Sequence, residues 1–214
     1  MADFVGLGFD LAFKYRTPSM ILADGIVGQM MEKVVLPPYR PRRTDAELRE
    51  QCPWAANGRH GRAERNVVTS LELESEKMEK NNQRLQATYD RIRQNEVRYQ
   101  EYFTDDAEYL IVAFGSVARI CLKAIEDARA RGLRIGLLRP ITLWPFPTDA
   151  IADLGRKVKG ILTVELNAGQ MIEDVRLAVN GSTPVYHFGR MGGIVPNPGE
   201  VINAFHKYFP DAIK

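Results

Sequence analysis

The chain has 214 residues, 45% hydrophobic and 26% charged, with 29 basic against 27 acidic residues and a formal net charge of +2. That length and apolar content support one large domain or two small ones, of which we favour two, and the near-neutral balance leaves no electrostatic footprint for nucleic acid or an anionic membrane. No apolar run approaches a bilayer span, and Met1-Ala2-Asp3-Phe4-Val5 lacks the basic-then-apolar plan of a secretory signal, so the expected location is cytoplasmic.

Phe4, Leu7, Leu11 and Tyr15 recur at helical spacing, and Arg16-Thr17-Pro18 ends that helix. Met20 to Asp24 reads as a short buried strand, followed by Gly28-Gln-Met-Met-Glu-Lys-Val34 as the start of a helix. Beyond Val34 the composition changes: Pro37, Pro38 and Pro41 stand among Tyr39, Arg40, Arg42 and Arg43, and few apolar residues occur before Val67. A loop this long is usually functional or interfacial. Between Arg40 and Arg65 it holds seven arginines against four acids, which suits either a solvated loop or a seat for phosphates or an acidic partner.

From Glu72 to Phe103 there is neither proline nor glycine, and charged and amide residues dominate, predicting one long helix or a helical hairpin. Met78, Leu85, Ile92 and Tyr99 recur every seven residues, but the companion seam Asn81, Thr88, Asn95 is polar, so a connecting helix with solvated charges is expected rather than a coiled coil.

After Thr104 the rhythm is strand then helix, repeated. Strands are predicted at Tyr109–Phe114, Arg134–Arg139, Gly160–Val164 and Pro184–Phe188, and helices at 116–131, Thr148–Val158, Gln170–Val179 and Pro198–Tyr208. This alternation is that of an α/β fold with a mostly parallel sheet covered by helices, the strand at 109–114 flanked by those near 134–139 and 160–165. Ligands of such sheets gather where strand ends meet helix starts.

Only Cys52 and Cys121 are present, too few for a disulfide framework or for a four-thiolate zinc or iron-sulfur site. Cys121 shares one helical face with Val117, Ile120, Ala124, Ile125 and Ala128 and reads as core; Cys52, before Pro53-Trp54, reads as an ordinary buried or half-buried cysteine rather than a reactive thiol.

YLIVAFGSVARICLKAIEDARARGLRIGLLRPITLWPFP resembles the C-terminal domain of transketolase-like enzymes. ILADGIVGQMMEKV, PWAANGR, RPITLWPFP, TVELNAGQMIEDVRLAV and FGRMGGIVPNP, in this order, resemble the alpha subunit of the 2-oxoacid:ferredoxin oxidoreductases, especially those acting on branched-chain 2-oxoacids such as 3-methyl-2-oxobutanoate (2-ketoisovalerate). The likeness spans nearly the whole chain. It implies an end of a pyrimidine-binding thiamine-diphosphate-type domain at residues 1–71, a helical linker at 72–104, and a transketolase C-terminal-like domain at 105–214.

It further implies oxidative decarboxylation of a 2-oxoacid with coenzyme A to acyl-CoA and carbon dioxide, with electrons passing to ferredoxin. Thiamine diphosphate and Mg2+ would be shared with a partner subunit, and iron-sulfur clusters would belong to partner subunits only. The chain departs from the family at its start. The acid that activates the aminopyrimidine would precede Met1, so the chain reads as a C-terminal portion, expected to be inactive by itself. The alternatives are a subunit of an NAD-linked 2-oxoacid dehydrogenase complex and a non-catalytic assembly module; the ILADGIVGQMME and LWPFP motifs argue against the former.

Two motifs imitate sites. Ala23-Asp24-Gly25 imitates the opening of a magnesium-diphosphate motif but lacks the asparagine that should follow about two dozen residues on. Phe114-Gly115-Ser116 imitates a phosphate cradle and reads instead as a strand-to-helix turn.

GQMMEKV at 28–34 is echoed by GQMIEDV at 169–175, each after an apolar run that ends in an acid, Asp24 or Glu165. Both copies read as strand-loop-helix units. Met30 with Val34, and Met171 with Val175, would share buried faces, with Glu32 and Glu173 in the first helical turns. The strand-end groups Asp24, Gly25, Gln29, Glu165, Asn167 and Gln170, and Arg190 between glycines, are the candidates for a substrate entry or a subunit interface. His187 reads as a packed strand residue, and neither His60 nor His206 has catalytic companions. No catalytic residue and no metal ligand is identified.

Overall fold

In the computed structural model, residues 1–59 and 61–212 are described; His60 lies outside them. The chain divides into two compact units, one of residues 1–21 and 32–89, the other of residues 22–31 and 90–214.

In the first unit, helix α1 (Ala2–Tyr15) ends on Arg16 in the left-handed conformation. One of its faces carries Asp10, Phe13 and Arg16 at three-residue spacing, and the arginine-rich loop is laid along that face. Arg40 Nη1 donates to Asp10 Oδ1 at 2.7 Å, the Arg43 guanidinium lies 5.9 Å from the Phe13 ring, and Arg16 stands 4.4 Å over Trp54. Within the loop, helix α3 (Asp45–Gln51) is closed by a reciprocal Thr44–Glu47 capping box. Arg59 donates to the carbonyls of Arg62 and Ala63, and Arg62 to that of Pro53 and to the Asn57 side chain. Arg40, Arg59 and Arg62 are therefore engaged in organising the loop itself.

In the second unit the short helix α2 (Gly25–Gln29) starts at Asp24 and stops at Met30, which is extended. Helix α4 (Ser75–Asn95) gives its last turns to this unit. Strand β1 (Tyr99–Tyr102) follows, then β2 (Tyr109–Val112), α5 (Gly115–Arg129), β3 (Ile135–Pro140), α6 (Thr148–Gly155), β4 (Ile161–Glu165), α7 (Met171–Val179), β5 (Val185–Gly189) and α8 (Pro198–Tyr208). The five strands make one sheet in the order β1-β3-β2-β4-β5, parallel throughout except for the antiparallel edge strand β1. The predicted flanking of the 109–114 strand by its two neighbours is the order found.

All four residues of β2 and all five of β4 are buried, as befits central strands of a sheet covered on both faces. Alternate β2 side chains feed two cores. Tyr109 and Ile111 pack with Val117, Cys121 and Ile125 of α5 and Val201 and Phe205 of α8, whereas Leu110 and Val112 pack with Ile151 and Leu154 of α6 and Met171 and Val175 of α7. Helices thus cover both faces of the sheet. Phe205, fully buried, meets Tyr109 edge-on at 5.2 Å and Phe209 at 5.0 Å, a burial worth about 2–3 kcal/mol. Helix α8 begins with Pro198 after an Asn197–Glu200 capping box.

Three expectations are corrected. The helix predicted as far as Phe103 ends at Asn95, and residues 99–102 are a strand, because Tyr99 to Tyr102 find a complete antiparallel ladder along β3 that a solvated helix would forgo. Met20 to Asp24 is not a buried strand: Met20 is 81% and Leu22 65% exposed, and no described strand pairs with the run. The first copy of the echo does not continue as a helix through Val34. Met31 is fully exposed and Met30 and Val34 about half exposed, so neither shares a buried face and Glu32 lies in no helical turn; Met171 and Val175 are buried as predicted.

Candidate functional site

Four parallel strands bring their carboxyl ends to one edge of the sheet. The chain leaves β2, forms β3 on one side of it and then returns to form β4 on the other, so the strand order reverses between β2 and β4. The following helices, α5 and α7, lie on opposite faces. In open α/β sheets a reversal of this kind opens a crevice between the two strand ends, where ligands bind. Most of the sequence-derived candidates fall there.

On the β2 side the Asp24 carboxylate is the central group. Its Oδ1 accepts from the Val27 amide at 2.8 Å, capping α2, and its Oδ2 accepts from the Ser116 hydroxyl at 2.6 Å in the first turn of α5. Burial pushes the carboxyl up, but the hydrogen bonds from the Ser116 hydroxyl and the amides of Val27, Ser116 and Ile26 outweigh it and hold the group below its ordinary 3.8. Gly25 and Gln29 are exposed on α2.

On the β4 side the Glu165 side chain is fully buried. Its Oε2 accepts from the amides of Gln170 at 3.2 Å and Met171 at 2.8 Å, and its Oε1 from that of Ile172 at 3.1 Å, so one carboxylate satisfies the amides that open α7. The Asn167 side chain is turned into its own loop, where Oδ1 accepts from the Gly169 amide at 2.7 Å; Gln170 is exposed. Asp174, exposed on the first turn of α7, has its carboxyl pushed up by partial desolvation and by Glu173 and Glu165 nearby. At the end of β5, Arg190 donates to Glu200 Oε1 at 2.6 Å and so joins the cap of α8.

The N-terminus of α7 is thus filled by Glu165, and at the start of α5 the Asp24 carboxylate takes the hydroxyl and the amide of Ser116. Anion binding at such amides needs them free, so the phosphate-cradle reading of Phe114-Gly115-Ser116 and the magnesium reading of Asp24-Gly25 give way to one contact between the two motifs. The described residues contain no group of three or more His, Cys, Asp or Glu able to hold a metal ion. Both cysteines are buried, and burial pushes the Cys121 thiol well up, which makes it inert. No described helix is long and apolar enough to cross a membrane.

Asp24 comes together with Ser116, and Glu165 with the backbone amide of Gln170, while Asn167 bonds within its own loop and Arg190 is tied to α8. Two participants were not singled out from sequence. Ser116 entered only as part of a phosphate motif, and His187 only as a packed strand residue, although its Nδ1 lies 3.4 Å from Glu165 Oε1. The register that pairs Thr163 with His187 and Glu165 with Gly189 brings this cluster together. Spacing within one strand carries no signal for it.

Residues 107–201 match the family model described as pyruvate:ferredoxin oxidoreductase core domain II. The chain is 44% identical over 193 residues to the ketoisovalerate oxidoreductase subunit VorB of Methanothermobacter thermautotrophicus, covering 90% of this chain and 53% of that protein. It is 30% identical over 226 residues to the 2-oxoglutarate synthase subunit KorA of Methanothermobacter marburgensis, covering 94% of this chain and 59% of that one. The chain spans about half the length of the curated relatives it matches. A solved 2-oxoglutarate:ferredoxin oxidoreductase from Magnetococcus marinus, with 2-oxoglutarate, coenzyme A and succinyl-CoA bound, superposes with a TM-score of 0.54 at 17% identity, over 64% of this chain and 24% of that chain, a likeness of fold. The chain is accordingly similar, over nearly all of its own length, to about half of these oxidoreductase subunits, and its residues 107–201 match the model of core domain II.

Proposed function

We propose that the chain serves in a 2-oxoacid:ferredoxin oxidoreductase of the branched-chain type, oxidatively decarboxylating a 2-oxoacid such as 3-methyl-2-oxobutanoate with coenzyme A to acyl-CoA and carbon dioxide, with electrons passing to ferredoxin. The observation that carries this reading is the 44% identity over 193 residues to a ketoisovalerate oxidoreductase subunit. Thiamine diphosphate with Mg2+ supplies carbanion chemistry in such an enzyme. The described residues do not fit that group: the one acidic motif that imitates its metal site spends its carboxylate on Val27 and Ser116. No step of the reaction is therefore assigned to this chain's side chains.

Its part is structural: a rigid α/β domain whose strand-end loops, with Gly25, Gln29 and Gln170 exposed, meet partner subunits or border the route of substrate. Partner subunits supply the cofactor site and the iron-sulfur clusters, since two buried cysteines cannot hold a cluster. The domain boundaries 1–71, 72–104 and 105–214 belong to the same reading.

The test is reduction of a viologen dye with 3-methyl-2-oxobutanoate and coenzyme A. The chain alone should give none, and reconstitution with its partner subunits and the rest of the relatives' length should restore it. Turnover by the chain alone, or a reconstituted enzyme that prefers an unbranched 2-oxoacid, would refute the assignment.

A further inference from the structure

The His187 ring lies between the end of β4 and the loop that follows it. Its Nδ1 stands 3.2 Å from Thr163 Oγ1 and 3.4 Å from Glu165 Oε1. On the opposite side Nε2 lies 3.3 Å from the Asn167 carbonyl, which can only accept, so Nε2 carries a proton in that contact. Two glycines make room for this arrangement. A side chain at Gly189 would overlap the Asn167 carbonyl and the His187 ring, and one at Gly169, held at a φ of +111°, would press on Ile172.

The ends of the loop 166–170 are fixed without His187. Glu165 holds the amides of Gln170 to Ile172, and β4 holds the other end. The middle is tied by the Asn167 side chain to Gly169 and by the Asn167 carbonyl to His187.

We propose that His187 is the clasp of this loop, a positioning residue whose ring nitrogens bridge the buried end of β4 and the loop backbone and so hold residues 166–170 in one conformation at the crevice before any ligand or partner arrives. The clasp is a property of the α/β fold and holds whatever the assembled enzyme acts on. It predicts a local role for hydrogen bonding at this position, separate from the volume the ring fills.

Hydrogen exchange on the 214-residue chain, comparing wild type with His187→Ala, His187→Phe and His187→Gln, distinguishes the two contributions. Phenylalanine keeps a ring and loses both nitrogens; glutamine keeps an N–H donor. Alanine and phenylalanine should each speed exchange in the peptide 166–172 by roughly tenfold, the loss of about one net hydrogen bond, while β2 and α5 stay protected. Glutamine should recover part of the protection. Wild-type protection in the phenylalanine variant, equal acceleration throughout residues 105–212, or glutamine no better than phenylalanine would each overturn the clasp.

Discussion

Glu165 is a carboxylate kept out of water by the structure, and three amides and an imidazole are arranged around it. Glu165→Ala strands the three amides and should cost roughly 3 kcal/mol or more. Glu165→Gln, which keeps one acceptor but turns an NH2 toward donors, should cost less. Urea unfolding measures both, and a loss below about 1 kcal/mol for the alanine variant would mean that water replaces the carboxylate freely. Gly189→Ala should cost about 2 kcal/mol, since its methyl overlaps a backbone carbonyl that must move. Asp24 behaves differently because it is only partly buried. Its carboxyl is held below 3.8, so its stabilisation is complete above that pH and is lost as pH falls through the lower folded value. The gap in urea midpoint between wild type and Asp24→Asn should therefore be constant from pH 7 to about 5 and close below 3.8. A gap that narrows already near pH 6 would remove Asp24 from the role described.

At the scale of elements, the repeated Gly-Gln-Met shows how far a local pattern reaches. The second copy opens α7 just after β4, where the sheet and helix α6 bury Met171 and Val175; the first has no ladder on its upstream run, and its helix stops at Met30. Met171→Ala and Val175→Ala should each cost about 2–3 kcal/mol, while Met30→Ala and Val34→Ala should stay within about 0.5 kcal/mol. Equal costs in the two copies, read from urea midpoints, would contradict the exposures. The same contrast explains what was legible. Strands β2 to β5 and helices α5 to α8 were readable because apolar period and glycine or proline punctuation agree along each of them. β1 was not, because Tyr99-Gln-Glu-Tyr is polar enough for a helix and becomes a strand only through its pairing with β3. In the candidate site, the acids at the strand ends were visible as the last residues of apolar runs. Their partners Ser116 and His187 lie 92 and 22 positions away and are reached only through the fold.

For the whole molecule, the distribution of buried apolar surface decides what can fold alone. Among the described residues, every buried hydrophobic side chain except Cys52 lies between Ile92 and Phe209. Residues 1–73 instead expose Phe9, Met20, Met31, Val35, Leu36, Val67 and Leu73, each at least 66% accessible. Conformational entropy of about 1–2 kcal/mol per ordered residue has to be met by burial, and only the α/β unit has the apolar contacts for it. A fragment of residues 90–214 should therefore unfold cooperatively in urea, and a fragment of residues 1–89 should show no cooperative transition. Where the first fragment begins also matters. Starting at Asp105 removes β1 and leaves β3 as an open edge, so residues 105–214 should remain folded but lose about 2 kcal/mol relative to residues 90–214. Circular dichroism with urea on the three fragments reads all of this. A cooperative transition in residues 1–89 would show that the amino-terminal unit has a core of its own. Equal stability of the two longer fragments would show that β1 contributes only length.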